Sequence, residues 1–159
     1  MLSTFKKNPK KYAPENIENF DMKFEKGLDD ICANCRYDVK FNNKQNPNLP
    51  LFEEFKSYNS ETWSKIANDK GFIKQFESYL QEVDEIKDLA YVINSNKANI
   101  NEVKQAFKEL FKRNSDEILK FMNPKLKESL GIINPNDKVR LEKLINDTNS
   151  ALYNFIKSQ

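Results

Sequence analysis

Histidine does not occur in this chain of 159 residues, and glycine occurs three times. Arginine is nearly as scarce, at Arg36, Arg113 and Arg140 only. Each shortage removes a class of chemistry. Without imidazole there is no Ser-His-Asp or Cys-His nucleophile, no histidine acid–base catalysis and no histidine-ligated haem. The Glu-x-x-His ligand sets of di-iron helical bundles are lost with it. Gly27, Gly71 and Gly131 lie too far apart to draw a phosphate-binding loop or a dinucleotide fingerprint. Lysine in place of arginine also removes the planar fork that grips phosphate or guanine with two parallel bonds.

Long apolar runs are missing as well. No stretch approaches the ~20 residues of a membrane span, so no membrane partner is expected. Met1 to Lys11 carries Lys6, Lys7, Lys10 and Lys11 but no apolar run behind them, which argues against a secretory leader. Two cysteines without a leader fit a reducing, cytoplasmic setting.

Against these shortages stand 38% hydrophobic residues and twelve phenylalanines, enough apolar surface to fold. The length fits a single domain over 1–159, with 1–13 as a flexible basic arm. The formal net charge of +2 favours no particular partner.

Apolar residues recur at steps of three and four from Ile17 through Phe20, Phe24, Leu28, Ile31, Cys35 and Val39, which predicts a helix over about 14–41. Asn42 to Pro50 reads as a polar loop, and Leu51, Phe52, Phe55 and Tyr58 as a short amphipathic helix. A longer helix starts near Ser60, is interrupted at Asn68, Asp69 and Gly71, and resumes from Phe72 to Ile93. Asn99 followed by Glu102 resembles a capping box, opening a helix through Val103, Phe107, Leu110 and Phe111 to Met122. Pro124 to Leu130 forms a short helix stopped by Gly131. A last helix after Pro135 runs to Ile156. No segment alternates long enough to be a convincing strand. The expected fold is all-α, a bundle of four long amphipathic helices with short connecting helices.

Three features stand out as candidate sites. Cys32-Ala33-Asn34-Cys35 places two sulfurs on one helical face, suited to core packing, a redox pair, or zinc shared across a dimer, since one chain supplies only two thiols. Lys104, Lys108 and Lys112, extended by Arg113 and Lys120, form a basic stripe for nucleic acid or an acidic partner. Leu51, Phe52, Phe55, Tyr58 and Trp63 gather rings that either cap the core or dock a partner protein. Carboxylate pairs such as Asp29/Asp30 and Glu53/Glu54 are adjacent in sequence, and neighbours on a helix point in different directions.

With catalysis set aside, the composition suggests a non-enzymatic helical interaction module without a cofactor: an adaptor, chaperone, macromolecular inhibitor or assembly subunit. Its partner would be another protein. A nucleic-acid-associated protein, or a dimer dependent on the paired cysteines, stands behind that expectation.

Overall fold

The computed structural model describes residues 2–24 and 35–158. Its centre is a five-stranded mixed sheet in the order β1 (Ile17–Lys23), β2 (Arg36–Phe41), β3 (Phe52–Lys56), β4 (Leu89–Ile93) and β5 (Ile156–Ser158). The pairs β1–β2 and β2–β3 are antiparallel, whereas β3–β4 and β4–β5 are parallel. β3 is therefore where the sheet changes from antiparallel to parallel. The expectation of an all-α bundle of four long helices is overturned: the fold is α/β.

Each misread strand has an identifiable cause. Tyr37, Val39 and Phe41 alternate with polar residues and are all buried, an outline of a strand with one face inward. Across the wider window their spacing also fits steps of three and four, and that periodicity predicted one helix over 14–41. The middle of that predicted helix, with Gly27, Leu28 and Ile31, lies outside the described residues. β4 reads Leu-Ala-Tyr-Val-Ile and is buried at every position. A parallel strand covered on both faces shows no alternation and cannot be told from buried helix by period alone. The helix predicted from Phe72 to Ile93 instead ends at Glu82, and the last helix, predicted to run to Ile156, ends at Asn146 before β5 begins.

The helices that do form have their signals in place. After α1 (Leu2–Lys7) and α2 (Ser60–Trp63) comes α3 (Lys70–Glu82), whose start is set by Asp69, its carboxylate accepting the Phe72 N–H at 3.0 Å. α4 (Ile100–Arg113) is capped by Asn99, which accepts from the Glu102 N–H at 2.9 Å. α5 (Ser115–Phe121), α6 (Pro124–Ser129) and α7 (Asp137–Asn146) follow. α6 stops at Gly131, which takes φ +73° while the Ile132 N–H reaches back to the Lys127 carbonyl at 2.8 Å.

Alternation along β3 and β4 gives the sheet two different faces. One face carries Phe52, Leu89, Tyr91 and Ile93 into the core, where they meet the aromatic rings of α3 and α4. Phe107 sits at its centre, 4.9 Å from the Phe155 ring, 5.1 Å from Phe76 and 5.5 Å from Tyr91. Aromatic pairs at such separations contribute about 0.5–1.5 kcal/mol each beyond area burial. The other face carries Glu53, Phe55, Ala90 and Val92. Phe5 of α1 packs there against Phe55, with centroids 6.2 Å apart. Residues 4–12 contact this face, with Thr4 buried and both Lys11 and Tyr12 bonded to Glu53. No helix among the described residues is long and apolar enough to cross a membrane.

Candidate functional site

Strand period two explains how charged residues come to be buried here. Glu54 and Lys56 are two apart on β3, so both side chains leave the same face of the sheet. Glu54 is 3% exposed. Its Oε1 lies 2.8 Å from Lys56 Nζ, and its Oε2 accepts the hydroxyl of Tyr79 from the third turn of α3. From the neighbouring strand, Asp38 Oδ2 accepts the Phe55 N–H at 2.8 Å, which places a second carboxylate beside β3 between Glu54 and Lys56. Two carboxylates and one ammonium converge at the carboxyl end of β3, where the strand directions change. Ligand sites in open sheets favour such switch points.

Helix α3 holds this group in place from above. Gln75, one turn before Tyr79 and on the same side of the helix, accepts from Lys56 Nζ at 3.1 Å and donates to the Arg36 carbonyl at 2.8 Å. The ammonium also lies 5.6 Å from the Phe72 ring centroid and 5.7 Å from that of Tyr58, a cation–π cage. Around the group opens a cleft of about 480 Å³ lined by Asp21, Cys35, Arg36, Asp38, Lys56 and Tyr58, with the first turns of α3 opposite. Asp21 takes φ 45°, uncommon for a residue with a side chain. It is held by Arg36, whose Nε donates to its carboxylate at 3.0 Å and whose terminal nitrogen donates to its carbonyl.

Burial dominates the electrostatics. It pushes the Asp38 carboxyl up, opposed by the Phe55 N–H and the Lys56 charge. It pushes Glu54 up as well, opposed chiefly by Lys56. For Lys56 burial works in the other direction, but the negative charge and hydrogen bond of Glu54 outweigh it and leave the ammonium harder to deprotonate. Tyr79 is driven well above the ordinary phenol value by burial and by Glu54, so it stays a neutral donor. Tyr91, opposite Glu54 on β4, is fully buried, and its hydroxyl has no hydrogen-bond partner among the described residues.

The sequence-predicted residues are distributed differently. Phe52 and Trp63 are core, Leu51 and Tyr58 are half-buried against it, and Phe55 emerges on the opposite sheet face from Phe52. They do not form one exposed patch. Lys104, Lys108, Lys112 and Arg113 lie on α4, with Lys108 reaching the Asn146 carbonyl at 3.4 Å and Arg113 bonded to Glu109 and Asn68. Lys120 is on the separate helix α5. Cys35 lies on no helix but just before β2, where it lines the cleft. Its sulfur is held in a disulfide and so is not a thiolate for metal, while Cys32 lies outside the described residues. Asp38, Glu54, Lys56, Gln75 and Tyr79 were all missed as site residues. Their signal is a Glu-x-Lys spacing that only a strand aligns, followed by Gln and Tyr four apart on a helix.

Comparison of the chain with family models, curated proteins and solved structures finds no match.

Proposed function

We propose that the chain is a divalent-cation-dependent phosphodiester hydrolase acting on nucleic acid, with its site in the cleft at the end of β3. One observation carries this: Asp38, Glu54 and Lys56 converge there from adjacent strands. The absence of histidine closes most routes to hydrolysis but leaves this one, since hard carboxylate oxygens are the ligands that Mg²⁺ or Mn²⁺ prefers. No group of three or more candidate ligands occurs among the described residues. Mg²⁺ in particular uses one or two carboxylates and completes its shell with water and substrate phosphate. Asp38 lines the cleft and Glu54 lies buried directly behind Lys56, so a cation there would draw on one carboxylate in the cleft wall and one reached by displacing the ammonium.

Asp38 and Glu54 would hold the cation. Bound there, it would supply charge against a phosphoryl oxygen and a water acidified to neutral pH. Lys56, kept protonated by Glu54 and aimed by Gln75, places a positive charge where the phosphate gains negative charge in the transition state. Tyr79 anchors one oxygen of Glu54, leaving the other free to exchange its ammonium contact for the cation. Tyr58 and Phe72 flank the ammonium and offer ring surface to a base.

The test is cleavage of single- and double-stranded DNA and RNA with Mg²⁺ or Mn²⁺. Wild type is compared with Asp38→Asn, Glu54→Gln and Lys56→Met. Cleavage that EDTA abolishes, and that each variant lowers by about 100-fold or more, is the expected result. Metal-independent cleavage, full activity in Asp38→Asn, or no cleavage of any of the four substrates would sink the proposal.

A second reading, a protein-interaction role, is favoured by β1. This edge strand leaves Phe20 and Met22 45% and 47% exposed, an apolar strip of the kind that partners cover. Phe20→Lys would then abolish partner binding while leaving nucleic-acid cleavage intact.

A further inference from the structure

On the opposite face of the sheet from Glu54 lies a second cleft, of about 620 Å³, within the range that holds small molecules. Its floor is set by register. Glu53 pairs with Ala90, and Val92 pairs with Lys157, so all four point to this side. Lysines from separate parts of the chain converge on it: Lys7 and Lys11 from the N-terminal segment, Lys87 from the turn before β4, and Lys157 from β5. The one carboxylate in the lining is Glu53, itself 1% exposed. It is already neutralised, because Lys11 Nζ lies 2.6 Å from one oxygen and the Tyr12 hydroxyl donates to the other at 2.6 Å. Among the described residues, Lys87 pairs with exposed Glu85 outside the cleft, at 3.3 Å. Neither Lys7 nor Lys157 has a carboxylate partner among the described residues. Three ammonium groups therefore face one concave space without an internal anion, and like charges gathered in this way repel unless a ligand balances them.

We infer that this cleft binds the pyrophosphate group of a phosphorylated small molecule. Several lysines and no arginine make an array of point charges, suited to an anion of high charge density rather than to the planar fork a carboxylate prefers. Net lining charge is +3, from four lysines less Glu53, which matches a di- or triphosphate better than a single carboxylate. The amides of Asn48 and Asn154 add neutral donors at the rim. The source is either a nucleotide or free pyrophosphate, and both present the same group. This site lies on the far face from the proposed hydrolytic cleft and does not depend on it.

Titration by calorimetry in EDTA, which keeps divalent cations out, tests the inference with pyrophosphate, inorganic phosphate, ADP and adenosine. Pyrophosphate should bind more tightly than phosphate, compete with ADP, and leave adenosine unbound. ADP binding more tightly than pyrophosphate identifies a nucleotide, and the reverse order identifies the free anion. Lys87→Gln/Lys157→Gln, both exposed positions, should weaken pyrophosphate at least about tenfold, or ~1.4 kcal/mol. The control Lys104→Gln/Lys112→Gln on α4 should bind as wild type does. Absence of pyrophosphate binding overturns the inference, as does equal binding by the cleft variant or an equal loss in the control.

Discussion

Glu77 gives the sharpest test of the energetics inferred for the packed helices. It lies on α3, 1% exposed, with Oε2 lacking a hydrogen-bond partner among the described residues. Burial raises its pKa from 4.5 to about 7, assisted by the negative charge of Glu117 on α5 and opposed by Lys74 one turn earlier. A carboxyl whose folded pKa is raised favours the folded state below its unfolded pKa and loses that advantage as pH climbs through the folded value. The interval between 4.5 and about 7 is worth about 3.4 kcal/mol at 1.36 kcal/mol per pH unit, of which about 2.5 kcal/mol disappears between pH 5 and pH 8. Glu77→Gln keeps the shape and cannot ionise. The variant should therefore gain about 2.5 kcal/mol over wild type on going from pH 5 to pH 8, the two curves lying closest at low pH. Urea denaturation followed by the fluorescence of Trp63, the single tryptophan and fully buried, measures this directly. Other titrating groups are shared by the two proteins and cancel in the difference. A stability difference that stays constant within about 0.5 kcal/mol across that range would refute the assignment of Glu77 as a buried, ionisable and uncompensated carboxyl.

Two further outcomes follow from the cleft. Asp38 and Glu54 must be ionised to hold a cation, and both are raised by burial, so cleavage should fall with acid from above the ordinary carboxylate range. Tyr79→Phe removes a donor to Glu54 and should move that limb to higher pH, seen in the pH–rate profile; an unmoved limb would show that Tyr79 only packs. Tyr91→Phe removes a hydroxyl without a hydrogen-bond partner among the described residues, so thermal melts should show stability unchanged or higher by up to ~1 kcal/mol. A loss beyond ~1.5 kcal/mol would mean that the hydroxyl is bonded after all.

Much of the helical half of this molecule was legible in the sequence because its signals are local. Asn99 and Asp69 cap the helices they precede, and Gly131 takes the left-handed conformation that ends α6. The strands were illegible for a physical reason. β3 and β5 are too short to display a period, β4 is buried on both faces, and β2 shares its spacing with a helical window. That error also hid the cleft. On a helix Glu54 and Lys56 point apart, whereas on a strand they stand side by side.

Composition alone determined that this chain has no imidazole chemistry and no glycine-rich phosphate loop, because absent residue types cannot be restored by folding. Local sequence set the helix caps and stops, since those bonds span only a few residues. Only the tertiary structure decided that Asp38 meets Glu54 and Lys56, and that lysines from three distant segments share one hollow. Strand pairing is a contact between distant segments, and side chains gather where the register of neighbouring strands, not the order of residues, brings them to one face.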